Sequence, residues 1–439
     1  PSWQQFPMSH QPRYDTPHLL DEAVRRLREY PPLVFPGEVR QLRSQVHQAA
    51  LGRSFILQGG DCVERFVDCN PTAIGNKLKI LLQMSVVLAY GLRKPVVRIG
   101  RFAGQYFKPR TNETEVVDGV EVPTYKGDTV HRFEATSEAR RSDPMRLIDG
   151  YFHATATLNY IRSMIDGGFA DLHYPYRWNL HTIEASEQWR EYRDVVEQIL
   201  DAIHFMESFG GTDSESLGRV DFFTSHEGLH LPYESSMTRF DGQSGETYNL
   251  GAHTIWIGKR TSGLDGAHIE YFRGISNPIG IKVSVDMRPE VLVRLCEILD
   301  PQRAPGRLTL ITRLGAKQAE SHLPSLIAAV RESRRTVAWS CDPMHGNTVS
   351  TDSGVKTRRF EDILAEIGAT HRVHGANGSH LAGVHFELTG EEVTECTGGA
   401  GRIGSGDLGR NYQTYCDPRL NYAQSMEMAF LLAKLLKAK

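Results

Sequence analysis

The stretch "IGIKVSV" (residues 279–285) is apolar and β-branched almost throughout, with one lysine, Lys282, at its centre. Just beyond it, "RPEVLVRLCEILD" (288–300) repeats apolar residues at helical spacing, a short amphipathic helix. A strand apolar on both faces, followed at once by an amphipathic helix, is the repeating unit of a buried parallel sheet. Outward from this unit the same kind of strand recurs. Upstream lie "SFILQ" (54–58), "PVVRIG" (95–100), "VDFFTS" (220–225) and "HTIWIG" (253–258); downstream lie "RLTLIT" (307–312), "TVAWS" (336–340) and "AGVHFEL" (382–388). Helical patterns occupy "PTAIGNKLKILLQMSVVLAYGL" (71–92), "HLPSLIAAVRES" (322–333) and "SMEMAFLLAKLLKAK" (425–439).

Eight strands alternating with helices predict an α/β fold, a (β/α)8 TIM barrel, with an open doubly wound sheet as the alternative from pattern alone. Two segments exceed a minimal barrel. Residues 1–50 form an N-terminal extension with a helix over 18–30. Residues 103–219 form a long connection between strands 2 and 3, with inserted helices expected over 143–166 and 186–209. The chain reads as a single barrel domain, 1–439, whose extra helices pack on the barrel or build a homo-oligomer interface, dimer or tetramer.

Composition narrows the function. With 40% hydrophobic and 23% charged residues and a net charge of −3, the 439-residue chain reads as globular, with neither nucleic acid nor membrane as partner. No apolar run approaches a bilayer span, and "PSWQQFPMSHQPRYDTPH" lacks the layout of a signal peptide. Six sparse cysteines make no disulfide framework, which points to a reducing cytoplasm.

In a barrel the chemistry sits at the C-terminal ends of the strands. Two groups of residues fall there. The first is cationic: Arg101, Lys108, Arg110, Arg260, Lys282 and Arg313. Six cations at one mouth repel one another unless they face anions, so the substrate is expected to be anionic. Lys282, inside a buried strand, needs a partner of its own. The second group is Cys62, His345, Glu387 and Asp417, too far apart in sequence for a zinc knuckle but natural for a metal gathered from separate strands. A thiolate, an imidazole and two carboxylates suit a divalent first-row ion, with Mn2+, Fe2+, Co2+ and Zn2+ all open. Asp342 and His385 compete for ligand places. Glu227, in "SHEG" (225–228), is a candidate active-site acid or water-orienting residue. The glycine-rich "GGAGRIGSG" (398–406) lacks the strand-turn-helix context of a phosphate loop and reads as an ordinary loop.

The motifs "LQGGDC", "GQYFKPRT", "NPIGIK", "TRLGA", "DPMHGN", "HFELTGEEVTEC" and "CDPRLN", in this order, resemble type II 3-deoxy-D-arabino-heptulosonate 7-phosphate (DAHP) synthases along nearly the whole chain. The resemblance implies condensation of phosphoenolpyruvate with erythrose 4-phosphate, releasing phosphate, at the entry to the shikimate pathway. It implies Cys62, His345, Glu387 and Asp417 as metal ligands, with manganese the usual ion. It places Arg101, Lys108 and Lys282 around the phosphoenolpyruvate carboxylate and Arg260 and Arg313 on its phosphate. Arg110 and Thr111 fall at the erythrose 4-phosphate phosphate. Lys108, Lys282, His345 and Glu227 are the catalytic candidates, and Glu227, Lys108 or His345 would handle the proton of the attacking water. A chorismate mutase is an implied protein partner.

The chain departs from the family pattern at "GKRT" (258–261), where Lys259 replaces an acidic residue. Its N-terminal extension is shorter than in some relatives, so feedback inhibition is not assumed. An aminoDAHP-type enzyme, or a DAHP synthase dedicated to secondary metabolism, fits the same motifs; a non-catalytic metabolite-binding regulator is a remote alternative. Cys416, next to Asp417, is expected near Cys62 and within reach of a disulfide once metal is lost.

Overall fold

The computed structural model describes residues 3–117, 119–169 and 221–437, with isolated positions between 190 and 201. Eight parallel strands close into a barrel: β1 (Phe55–Gly60), β2 (Val96–Arg101), β3 (Phe223–Glu227), β4 (Thr254–Ile257), β5 (Ile279–Ser284), β6 (Leu308–Arg313), β7 (Ala338–Cys341) and β8 (Gly383–Glu387). Each strand is hydrogen-bonded to its neighbours in sequence, and β8 returns to β1, with Ile56 opposite Gly383 and Gly60 opposite Glu387. The predicted (β/α)8 barrel is the observed fold, and all eight sequence-read strands belong to it.

The strands are apolar on both faces because each face has a cover. Outward side chains of β1, β7 and β8, including Leu57, Cys341, Val384 and Phe386, pack with the helices Pro71–Leu92, Phe360–Ala376 and Tyr422–Leu435. Those of β4 to β6, including Ile257, Ile281 and Leu310, pack with Ala267–Arg273, Pro289–Leu299 and Ala319–Glu332. Helix Pro71–Leu92 starts on Asn70, whose side chain accepts the Ala73 N–H, and ends where Arg93 turns left-handed (φ +54°).

The N-terminal extension does two jobs. Helix Pro36–Ala50 sets Leu42, Val46, Ala49 and Ala50 against Ile56, Val97, Ile99, Phe223, Ala338 and Ala382, which seals the end of the barrel where the strands begin. Helix Pro17–Glu29 packs with Arg146–Asp166 from the long connection, and Arg162 grips both Glu38 carboxylate oxygens at 2.9 and 3.0 Å. That connection also carries a hairpin, Thr114–Val117 with Val120–Pro123. The helix expected over 186–209 lies almost wholly outside the described residues. Among the described residues, no helix is long and apolar enough to cross a membrane.

Candidate active site

Strand β1 ends at Gly60, whose register partners are Arg101 on β2 and Glu387 on β8. Its φ of +150°, and a Cβ that would lie 2.8 Å from the Arg101 carbonyl oxygen, admit only glycine there. The strands close tightly around it, and Arg101 Nη2 reaches Glu387 Oε1 at 3.2 Å. The next residues, Asp61 and Cys62, are fully buried.

A cavity of about 700 Å³ opens at this end of the barrel. All six cations read from the sequence line it: Arg101, Lys108, Arg110, Arg260, Lys282 and Arg313. Thr111, Glu227, His345 and Asp417 line it too, as do two further cations, Lys259 and Lys356. The cations are graded in depth: Arg101 and Lys282 are buried, whereas Lys259 and Arg260 are exposed at the rim. Buried Nε atoms of Arg101 and Arg313 have no hydrogen-bond partner, and unmet donors beside a cationic cavity are what an anionic ligand fills. Trp256 of β4 forms part of the wall, with the Arg101 guanidinium 5.1 Å and the Lys282 ammonium 5.7 Å from its ring centre.

Individual partners refine the sequence reading. Lys282 is paired with Asp342, yet burial still lowers its ammonium to about 8. Arg313 donates to the His345 carbonyl at 3.1 Å. Arg260 reaches Thr111 Oγ1 at 2.7 Å, so groups implied for two different phosphates touch across the mouth. Arg110 lies 3.7 Å from Glu115. Lys259 turns to Asp286 at 3.1 Å, which offsets its charge at the rim. Glu227 is held by its N–H to Gln105 Oε1 at 2.9 Å, and its side chain crowds Gly258 so closely that a Cβ there would lie 1.9 Å from Oε1.

The second population also converges. Sγ of Cys62 with side chains of Cys416 and Asp417, and side chains of His345, Glu387 and Asp417, form two overlapping groups whose atoms lie within 4.8 Å of one another. Lys108 Nζ touches Cys62 Sγ at 2.6 Å, Asp417 Oδ2 at 2.7 Å and Glu387 Oε1 at 3.3 Å, so three of the four predicted ligands already surround a positive charge. His345 directs Nδ1 at Asp342 Oδ2 (2.7 Å) and Nε2 at Glu387 Oε1 (3.1 Å). A ring with Nδ1–H given to Asp342 presents a lone pair to a carboxylate, and that meeting requires a cation, a proton or a metal ion. The donor set therefore fits a divalent ion.

Electrostatics agree. Burial alone would raise the Glu387 carboxyl, but His345, Lys108, Arg358 and Arg101 hold it well below the usual carboxylate range. Asp417 is likewise lowered against its burial, chiefly by Lys108. Burial pushes the Cys62 thiol well up, and its hydrogen bond to Cys416 pulls that thiol down to about 7.

Two competing candidates take other places. Asp342 braces His345 and Lys282. His385 accepts from Arg101 Nη1 through Nε2 (2.9 Å) and gives Nδ1–H to Gln58 Oε1 (2.8 Å), while Gln58 donates to Ser225 Oγ at 2.9 Å. Two residues unread in the sequence join the site. Lys356 reaches Asp417 Oδ1 at 3.2 Å, and Arg358, fully buried, reaches Glu387 Oε2 at 2.6 Å. Both lie in "KTRR" (356–359), where alternation inside a charge run was the one available signal. The loop 398–406 lies outside the cavity lining.

The model of the Class-II DAHP synthetase family matches residues 1–433. A phospho-2-dehydro-3-deoxyheptonate aldolase of Streptomyces coelicolor is 46% identical over 436 residues, which covers 99% of this chain and 97% of that protein. One from Neurospora crassa is 45% identical over 448 residues, covering 98% and 93%. The match runs along nearly the whole chain, closed barrel and thiol–imidazole–carboxylate residues included, and the chain belongs to the class-II DAHP synthetase family.

Proposed function

We propose that the protein condenses phosphoenolpyruvate with D-erythrose 4-phosphate and water, giving DAHP and inorganic phosphate, the first step of the shikimate pathway. One observation supports the reading: eight cations line a cavity beside two overlapping groups of potential ligands, Cys62 with Cys416 and Asp417, and His345 with Glu387 and Asp417.

Lys282 and Arg101, the deep cations, take the phosphoenolpyruvate carboxylate with Lys108 beside them, while Arg313 and Arg260 take its phosphate. Arg110 and Thr111 take the phosphate of erythrose 4-phosphate nearer the rim. Together they offset the repulsion of two multiply charged molecules and align the enol carbon with the aldehyde carbon. When bound by Cys62, His345, Glu387 and Asp417, a divalent metal, Mn2+ in this reading with Co2+, Fe2+ or Zn2+ as alternatives, supplies Lewis acidity for an aldehyde oxygen. Carbon–carbon bond formation leaves positive character on the carbon that bears the phosphate. Water adds to that carbon, and the carbon–oxygen bond to phosphate breaks.

Of the carboxylates lining the cavity, Asp417 belongs to the ligand set and Glu115 is occupied by Arg140 at 2.8 Å. Glu227 is left to take the proton of the water. Lys108, bound to three ligand residues, and His345, braced by Asp342, hold charge and geometry instead.

The same reading includes a homo-oligomer, a cytoplasmic location and chorismate mutase as a partner, to be tested by light scattering, fractionation and co-purification. For the activity, purified protein receives both substrates with and without chelator while phosphate release and loss of enol absorbance are followed. Chelator-sensitive release of one phosphate per enol consumed is expected; absence of turnover after Mn2+ addition overturns the reading.

A further inference from the structure

Beneath the ligand cluster runs a line of buried charges that the reaction itself does not use. Glu395, fully buried, gathers both ends of the loop that carries Asp417: its Oε1 accepts the N–H of Gln413 at 3.1 Å and of Thr414 at 2.8 Å, and its Oε2 accepts the N–H of Arg419 at 2.8 Å. The Arg419 guanidinium then forks. Nε and Nη2 return to Glu395 at 3.0 and 2.8 Å, and Nη1 crosses to Asp61 Oδ1 at 2.6 Å. Asp61 precedes Cys62, and its other oxygen meets Lys77 of helix Pro71–Leu92. The signs alternate, carboxylate, guanidinium, carboxylate, ammonium, so no charge in the row is left bare.

The row joins the two chain segments that supply the thiolate and the last carboxylate. Asp417 N lies 3.3 Å from Cys62 Sγ, and Thr414 Oγ1 donates to the Asp417 carbonyl at 2.9 Å. Nothing covalent links residues 62 and 417, which are 355 apart in sequence; the Arg419 fork between Asp61 and Glu395 is a direct bridge between their segments. An arginine fork fixes both distance and plane, whereas a lysine would fix only one charge. None of Asp61, Glu395 and Arg419 lines the cavity.

We propose that Glu395 and Arg419 are positioning residues that pre-build the Cys62–Asp417 half of the metal centre and thereby set metal affinity, with no part in substrate contact. The inference rests on the metal reading above. Residues that orient metal ligands from behind typically change affinity 10- to 100-fold when altered.

The test is a titration of metal-stripped protein with Mn2+, read by the electron paramagnetic resonance of the free ion. The parent is measured first. If it binds no Mn2+, the metal site itself is wrong, and the positioning inference falls with it. If the parent binds one ion, Glu395→Gln should weaken Mn2+ binding at least tenfold, while the KM for phosphoenolpyruvate at saturating Mn2+ stays within threefold. Glu395→Asp should recover part of the affinity. Should Glu395→Gln fail to fold, Arg419→Lys, which keeps the charge and breaks the fork, carries the same expectation. A folded variant with parental Mn2+ affinity overturns the inference while leaving the metal site intact. So does a variant in which Mn2+ affinity, KM and the melting temperature of the metal-free protein all worsen together, the mark of a merely structural role.

Discussion

Asp342 Oδ2 stands between Lys282 and His345, meeting the Lys282 ammonium and lying 2.7 Å from His345 Nδ1. One carboxylate oxygen thus joins the cationic half of the site to the ligand half. Asp342→Asn keeps the shape but removes the charge that both neighbours use. The expected result is a loss of 10- to 100-fold in Mn2+ affinity together with a raised KM for phosphoenolpyruvate. Titration and steady-state kinetics on one preparation check it, and loss of only one of the two would break the proposed link.

The Lys282 ammonium gives the site a pH dependence. It is a base whose burial brings it down to about 8, so the free protein carries the charge below that pH and loses it above. Since the proposed contact with the phosphoenolpyruvate carboxylate needs the charged form, kcat/KM for phosphoenolpyruvate should fall as pH rises through about 8. At saturating substrate kcat should hold to higher pH, because the bound anion favours the ammonium. In Lys282→Arg the fall near pH 8 should disappear, whatever the height of the plateau; a fall retained at the same pH would assign it to another group.

The role proposed for Glu227 can be tested by separating chemistry from binding. Glu227→Gln should lower kcat by about 10²- to 10⁴-fold with substrate KM values little changed, the scale for loss of a general base. Gly258→Ala should act in the same direction, since its Cβ would occupy the place of Glu227 Oε1. Rapid-quench measurement of phosphate release reads both, and near-parental kcat in Glu227→Gln would hand the proton to a different residue.

Stability carries a separate signature at Glu366. Burial raises this carboxyl to about 7, although it accepts the Leu314 N–H at 2.8 Å and an Asn347 side-chain N–H at 2.7 Å. Between pH 4.5 and 7 the unfolded chain has released a proton that the folded chain still holds. Stability from this group is therefore full below about 4.5 and is lost as pH rises through 7, by roughly 3 kcal/mol at most. Glu366→Gln should flatten that part of the profile, measured as urea midpoints at pH 5 and pH 8.

Cys62 and Cys416 are both free thiols in one tight group with Asp417. A two-electron oxidant such as diamide, given to metal-stripped protein, should take one electron and one proton from each thiol and close a disulfide. Added Mn2+ should protect. Peptide mass spectrometry reads a linked pair; two alkylatable thiols after diamide would reject it.

The strands were legible because a strand covered on both faces writes its burial into consecutive residues, as "IGIKVSV" does. The six cations were legible because so much positive charge in and after four barrel strands is unusual enough to demand a ligand. Helix Pro36–Ala50 is absent from the sequence reading even though Val39, Leu42, Val46 and Ala49 carry helical spacing; what it closes is visible only in three dimensions. Arg358 reads as one more charge in a run, since its burial against Glu387 depends on the hairpin of Thr348–Ser350 with Lys356–Arg358 bringing it to the end of β8. Likewise, Asp342 and His385 are chemically equal to the proposed ligands in sequence, and only the barrel's closure turns them towards Lys282 and Arg101.

Helix Pro36–Ala50 covers the end of the barrel where the strands begin, and the cavity opens at the other end. Whatever rests on Lys282 at the bottom must go in before whatever rests on Arg110 and Thr111 near the opening, and a molecule seated at the opening shuts in the one below. On the proposed placement of the two substrates, the architecture calls for arrival in a fixed queue with phosphoenolpyruvate at its head.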